Sequence, residues 1–473
     1  MATTPAPARL RRTLTLWDLI LYGVIVIQPV APMSVFGVLR DRGHGHVVTT
    51  IFIAMVAMLF TAISYGRMAR AYPSAGSAFT YVGQEINPVL GYVTGWSMVM
   101  DYLLNPMICI IWCSQQAHVF APGISYGVWA TFFALVFTAL NVQGVKTSAR
   151  VNTALAAGMG VVITIFFVTA ARYIFGHPHD GAGFFTQPFY DPQLWNTKAV
   201  LGGTSIAVLT YIGFDGISTL SEEAENPRRN ILLATVLTCL VIGILSAIQV
   251  YAAQLIWPSI EPFPNMDTAF TFVAGRAWAP MFAILGFTLL VANFGSGMGA
   301  QLGAARLLYG MGRSNALPKS FFGAVDPKRH VPRNNVLFVG ALALAGAFFL
   351  PWVAAVPSLL ARLFSRGSSA SLGTATSGYE LGANLLNFGA LIAFMGVNLA
   401  AFVRYYLHDQ NKKLSNLLPP VLGFVICFAL WVNLSPTALI FGAIWMGLGI
   451  AFGAVKTRGF RGNLIDFELP PEE

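Results

Sequence analysis

Long uncharged stretches alternate along the chain with short segments that hold nearly all of the charge. As a helix, about 20 apolar residues cross the hydrocarbon core of a bilayer. Runs of that kind fall at 16–39, 47–66, 86–113, 124–144, 151–173, 198–219, 231–256, 278–304, 334–355, 381–406, 416–433 and 436–455. The pattern predicts an all-α integral membrane protein of about twelve helices. The last two runs share one uncharged stretch, Leu414 to Val455. The turn Asn433-Leu434-Ser435-Pro436 folds it into a tight hairpin, because proline cannot continue the preceding helix. The N-terminal MATTPAPARLRR is short, polar and basic. The run that follows, Leu19 to Leu39, is too long for a signal-peptide core and reads as the first span.

The charges between the runs give the orientation. With both termini cytoplasmic, 21 of the 28 Lys and Arg residues fall inside, leaving Arg40, Arg42, Arg172, Lys198, Arg276, Arg362 and Arg366 outside. That bias matches the positive-inside rule, and one helix more or fewer would scramble it. Longer external segments are expected at 174–197 and 257–277, with a Gly/Ser-rich linker at Ser365 to Ser377. His177 and His179 in the first of these have no third ligand nearby and read as ordinary loop residues.

Composition sharpens the class. The 473 residues are 56% hydrophobic and only 10% charged, with a mean hydropathy of +0.66. Soluble domains carry about 25% charged residues, so lipid must solvate part of this surface. The net charge of +9 does not imply nucleic acid, because the basic residues sit singly or in pairs between apolar runs. Cys109, Cys113, Cys239 and Cys427 all lie inside apolar runs and read as reduced packing residues; no metal set is present.

The chemistry lies in defects of two spans. Span one contains Gln28-Pro29-Val30-Ala31-Pro32-Met33-Ser34, and span six contains Tyr211-Ile212-Gly213-Phe214-Asp215-Gly216. A proline in a helix interior costs about 3 kcal/mol, and the polar atoms it frees at membrane depth must meet protein, water or ligand. The two breaks occupy equivalent places in two five-helix halves, which is the pointer to a midplane substrate site in inverted-repeat transporters. Half-helix ends there can hold a carboxylate, and unwound carbonyls a cation. Asp101 and Asp215 are ionisable residues at membrane depth, candidates for a proton carrier or an ammonium acceptor; a packing carboxyl is the plainer reading. Glu222 and Glu223, ahead of Arg228 and Arg229, read as an interfacial ion pair or a gate. Ser296 reads as a helix-packing serine or a sodium ligand set against span-one carbonyls. Tyr211 and Phe214 are placed to cover a substrate. No HExxH or GxGD set occurs in a span, and the GxSxG at Gly123-Ile124-Ser125-Tyr126-Gly127 straddles the start of the fourth run without the strand-to-helix turn that motif needs, so an intramembrane enzyme is not supported.

From Leu14 to about Arg461 the chain resembles the amino acid–polyamine–organocation (APC) superfamily. The likeness is carried by LTLWDLILYG, AISYGRMARAYPSAGSAFTYV followed by GYVTGWSMVMDY, NVQGVKTSARVN, YIGFDGISTLSEEAENPRRN, ARLLYGMGRSNALP and NFGALIAFMGVN, in that order. The resemblance implies a LeuT-like five-plus-five inverted repeat with discontinuous first and sixth spans. Residues 1–13 would be a cytoplasmic tail, 14–175 the first repeat, 176–410 the second, 411–457 the last two spans and 458–473 a second cytoplasmic tail. It places the substrate clamp on Val30, Ala31, Pro32, Met33 and Ser34 and on Tyr211, Ile212, Gly213, Phe214, Asp215 and Gly216. Asp101 falls where cationic-amino-acid-transporter-like members carry a glutamate. Two departures stand out: QPVAPMSVFG is closer to the putrescine-importer-like branch than to a glycine-rich break, and no Lys lies between Val151 and Ala171. The implied function is a secondary active permease of the inner membrane with no cofactor, coupled to H+ or Na+ through Asp101, Asp215 or Ser296. Span six favours amino acids; a polyamine importer is the alternative, and a non-transporting sensor or scaffold the reading of another class. The partners implied are a small-molecule substrate and the lipid bilayer, with no nucleic acid; the oligomeric state is left open.

Overall fold

A computed structural model describes residues 14–459 except 73–76, 145–148, 179–180, 182, 222–223, 259–260, 314–316, 327–328, 330, 365–376 and 409–411. His179, Glu222, Glu223 and all but the last residue of the Gly/Ser-rich linker therefore lie outside the described residues. The fold is all-α. Leu16–Ile27 (α1) and Ala31–Arg42 (α2) form the first span, bent by 48° at the break. Val47–Ala71 (α3) is the second span. A short helix, Ser77–Glu85 (α4), precedes Pro88–Phe120 (α5), Tyr126–Gln143 (α6) and Ala149–Gly176 (α7). Thr197–Ala207 (α8) opens the interrupted sixth span, and Pro227–Ile256 (α9) is the seventh. Then come the short Ala269–Ala277 (α10), Ala279–Arg313 (α11), the single turn Lys319–Phe322 (α12), Arg333–Phe364 (α13) and Gly378–Phe402 (α14). Leu414–Val432 (α15) and Pro436–Lys456 (α16) make the final hairpin. Among the described residues, eleven helices are long and apolar enough to cross a membrane, twelve with the bent pair counted as one span. Each falls on one of the runs expected from the sequence.

Local chemistry sets the ends. The Thr15 side chain accepts the Asp18 N–H while the Asp18 carboxylate accepts the Thr15 N–H at 2.9 Å, a reciprocal cap on α1. Asn87 accepts the N–H groups of Val89 and Leu90, with Pro88 in the first helical position of α5. Ser435 and Pro436 do the same for α16, which places the hairpin turn where the sequence puts it.

The centre of the bundle is α5, whose most apolar stretch is 89% buried, against 17% for the peripheral α7. Its main partner is α14. At their crossing a Cβ on Gly389 would lie 2.5 Å from the Ser97 carbonyl oxygen and 3.3 Å from the Asp101 nitrogen, so the two backbones touch there. Close approach of this kind needs a small residue, since lipid offers helices no hydrophobic reason to associate. The same contact fixes the position of Asp101.

Gly389→Ala is therefore expected to push α14 off α5 at a cost of about 1–3 kcal/mol. Melting in detergent checks this. The expected result is a lowered transition for Gly389→Ala beside an unchanged one for Gly447→Ala, whose added methyl meets open space.

Candidate functional site

Pro29 and Pro32 have no N–H to give, and the chain leaves the helix at Gln28 (φ 70°, ψ 126°) before α2 begins. Side chains from neighbouring helices take up what the break frees. Gln249 of α9 donates to the Pro29 carbonyl at 2.9 Å, and the Gln28 amide donates to the Ala292 carbonyl of α11. Asn293 of α11 donates to the Ser34 hydroxyl at 3.0 Å. Nor are the first N–H groups of α2 free. That of Ala31 goes to the Gln28 carbonyl at 3.1 Å, that of Met33 to the Val30 carbonyl at 3.0 Å, and Pro32 has none. Val30, Pro32, Met33 and Ser34 are buried and Ala31 is half-buried.

The second break begins where α8 tightens into a 3₁₀ turn at Val208–Thr210. It continues through Gly213 at φ 120°, a conformation open to glycine, into a 3₁₀ segment at Phe214–Leu220. Tyr211 is fully buried and donates its hydroxyl to the Ile51 carbonyl of α3 at 3.0 Å. Phe214 packs its ring against Tyr65 at 5.5 Å and Phe394 at 5.3 Å. Ile212 and Gly216 are half-buried. The Asp215 carboxylate accepts the Gly213 N–H at 3.2 Å, with the N–H groups of Asp215 and Gly216 nearby, that of Gly216 also meeting the Gly213 carbonyl at 3.1 Å. The donors of this break thus face a carboxylate that the chain itself supplies.

The breaks lie against an acidic, tyrosine-lined cluster. Asp101 and Asp215 are 6% and 5% exposed and within electrostatic reach of each other; among the described residues no basic side chain faces either. Tyr65 and Tyr102 lie within reach of both carboxylates, and Tyr81 within reach of Asp215. The hydroxyl of Tyr65 is buried without a hydrogen-bond partner, and that of Tyr81 is buried beside the Ser218 hydroxyl. A buried hydroxyl left without a partner costs on the order of 1–3 kcal/mol, which makes Tyr65 notable. Sequence reasoning had no hold on either: Tyr65 sits inside an ordinary apolar run, and Tyr81 on a nine-residue helix too short for any span criterion. Ser296 is half-buried with its hydroxyl beside Cys109, and the carbonyl one turn before it, that of Ala292, is the one Gln28 occupies.

On the side away from the N-terminus, polar contacts tie α2 to α14. Arg42, at the end of α2, pairs with Glu380 at the start of α14 through two nitrogens at 2.6 and 3.1 Å. Beside it, buried Asp267 accepts the Ser377 hydroxyl at 2.6 Å, and Ser377 caps α14 through the Glu380 N–H at 3.0 Å. Trp112 of α5 donates to the Asp267 carbonyl at 2.8 Å.

Comparison with known proteins adds ancestry to this geometry. The profile of the family described as amino acid permease matches residues 31–463. The chain is 34% identical over 476 residues to the low-affinity putrescine importer PlaP of Escherichia coli (strain K12), covering 98% of each. It is 24% identical over 492 residues to the branched-chain amino acid permease BcaP of Bacillus subtilis (strain 168), covering 97% of this chain and 96% of that one. It is 27% identical over 367 residues to the vacuolar cationic amino acid transporter 4 of Arabidopsis thaliana, covering 73% of this chain and 59% of that one. The solved manganese transporter of Eremococcus coleocola superposes with a TM-score of 0.54 at 12% identity, covering 95% of both chains; that likeness is one of fold, which is LeuT-like.

Burial pushes the Asp267 carboxyl up to about 6, the Ser377 hydrogen bond working against the rise and the Glu380 charge with it. A carboxyl raised in the folded state is a liability once charged. Stability should fall as pH rises from about 4 through about 6 and level off above, by up to about 3 kcal/mol at 1.36 kcal/mol per unit, roughly half of it above pH 5. Asp267→Asn is expected to flatten that part of the melting-temperature profile between about pH 4 and about pH 7. Parallel profiles for the two proteins would show that another group carries it.

Proposed function

Since the chain belongs to the amino acid permease family and is a membrane transporter of small molecules rather than an enzyme, we propose that its own substrate is a small linear diamine. The observation that carries this reading is the pair of buried carboxylates, Asp101 and Asp215, with no basic side chain of the described residues facing them. A carboxylate at mid-membrane costs about 2.5–3.5 kcal/mol on insertion scales, and two within mutual reach repel as well. An ammonium at each end of one solute offsets both terms. Asp215 and Asp101 are assigned one ammonium each. The hydroxyls of Tyr65, which has no partner, and of Tyr81, beside Ser218, can each accept an N–H, and Phe214 and Phe394 offer faces to the methylene chain. The backbone of Val30–Ser34 and Tyr211–Gly216 supplies the walls.

The amino-acid reading needs a clamp for a substrate carboxylate. On the first break the N–H groups of Ala31 and Met33 already have carbonyl partners and Pro32 has none; on the second, Asp215 occupies the donors. Both places where a substrate carboxylate would dock are therefore largely filled. The putrescine importer among the relatives agrees with this balance. A cationic amino acid such as ornithine is the second reading, favoured by the similarity to cationic amino acid transporters.

A proton fits the coupling role better than sodium. Asp101 and Asp215 can each take a proton or an ammonium in turn, whereas the Gln28 amide occupies the Ala292 carbonyl, which a sodium ion beside Ser296 would have to share. The positive-inside bias supports a protein of the cytoplasmic membrane with both termini inside, and the two breaks support repeats at 14–175 and 176–410, followed by the 411–457 hairpin.

Uptake of labelled putrescine, ornithine and leucine into proteoliposomes tests the reading. Putrescine should accumulate and leucine should fail to compete. Asp215→Asn should insert normally yet lose at least about tenfold in uptake efficiency, the worth of one charge-assisted contact, and Asp101→Asn should alter the pH dependence of uptake. Leucine accumulation without diamine uptake or competition would overturn the diamine assignment.

A further inference from the structure

The helix α4 is not needed to cross the membrane, yet it reaches the site. Ser77, Tyr81 and Glu85 lie four residues apart and so form one stripe along it. At its start, the Ser77 hydroxyl meets the Ser218 hydroxyl of the second break at 3.1 Å. One turn on, Tyr81 is fully buried beside Ser218 and Asp215, its hydroxyl set against that of Ser218. On another face α4 is pressed on α5 so closely that a Cβ on Gly91 would lie 2.5 Å from the Gly83 Cα. The helix therefore moves as a rigid piece or not at all.

Beyond that contact, one carboxylate ties its far end to α3 and α14. The Glu85 side chain is only 3% exposed and accepts from three groups. These are the Tyr72 hydroxyl at 2.8 Å, Arg404 Nη1 at 3.0 Å and His408 Nδ1 at 3.1 Å. Arg404 also donates to the Tyr72 hydroxyl at 3.0 Å and lies 4.9 Å over its ring. Tyr72 ends α3. Arg404 lies on, and His408 directly follows, the π-helical turn Val403–Leu407 that closes α14, a local widening of the kind that recurs at functional places. Three elements of the bundle thus converge on the residue one helical turn from Tyr81.

We propose that Glu85 is a positioning residue for transport: its clamp to Tyr72, Arg404 and His408 holds α4 so that Tyr81 completes the substrate site and the helix closes that site on the cytoplasmic side. The assignment of Tyr81 to the substrate rests on the site reading above. The closing role does not.

The test has two arms, run in proteoliposomes on the full chain. In the first, putrescine KM and maximal rate are measured for Glu85→Gln, Tyr81→Phe and the double variant. Glu85→Gln should raise KM about fivefold with little change in maximal rate, and should add nothing further in the Tyr81→Phe background, because one residue acts through the other. Additive effects would overturn the positioning role. In the second arm, Ser77→Cys is introduced after the native cysteines are replaced by serine or alanine, and is labelled with a membrane-impermeant maleimide from the cytoplasmic side, without substrate. Labelling should accelerate about fivefold or more when Glu85→Gln is added, and an unchanged rate would overturn the closing role. If the parent protein does not transport putrescine while labelling still accelerates, the substrate assignment falls and the clamp stands. A thermal melt of each variant separates these results from simple loss of fold.

Discussion

A main chain inside a bilayer has no water to bond with, so every carbonyl and N–H it frees must find a partner in the protein or in a solute. Both interruptions of this permease are built around that constraint. At the first, Gln249 answers the Pro29 carbonyl from α9, and Gln28 reaches across to the Ala292 carbonyl of α11. At the second, Tyr211 locks the turn to the Ile51 carbonyl of α3, and Asp215 gathers N–H groups of its own loop. The breaks are thus cross-linked to the helices around them. That is how unwound backbone persists at membrane depth without exposing polar atoms to lipid.

Once the backbone is largely answered, what remains unanswered gains weight. Two carboxylates and two tyrosine hydroxyls stay buried with polar capacity to spare. A packing role would have let mutation replace them with apolar residues at a gain in stability. Their chemistry is that of an acceptor for N–H groups carrying positive charge. The binding specificity proposed for this chain therefore follows from subtraction: the donors that would hold an anionic group are used up inside the protein, and the acceptors that would hold a cationic one are not.

The spans were legible in the sequence because hydrocarbon thickness imposes a length and charge is expelled from it; even the hairpin at Pro436 and the bend at Gln28 fall where the residues place them. Pro29, Pro32 and Gly213 were legible as breaks because their backbone chemistry is local. Gln249, Gln28 and Asn293 were not, because an amide inside an apolar run looks the same whether it bonds across helices or along its own. Tyr65 and Tyr81 were hidden for a different reason. Their significance is a shared location beside Asp215, produced by helices that are distant in sequence. The nine residues of α4 fell below every length criterion and read only as a joint between spans two and three.

Two ion-pair clusters flank the site with the same chemistry in different settings, and this bears on how it can open. On the far side a carboxylate with 7% side-chain exposure, Glu380, pairs with Arg42 at 34%; on the near side a carboxylate at 3%, Glu85, pairs with Arg404 at 39% and His408 at 65%. In each case the anion is sheltered while the cation keeps contact with water. A pair buried on both sides would resist separation by several kcal/mol because each ion would be left without solvent. A pair exposed on both sides would hold nothing worth measuring. The mixed arrangement sits between: the cation can withdraw into water at small cost, and the carboxylate it leaves is hydrated as soon as the cleft parts. Alternating access requires closures that are firm when shut and cheap to release one at a time, and sheltering only the anion meets both conditions.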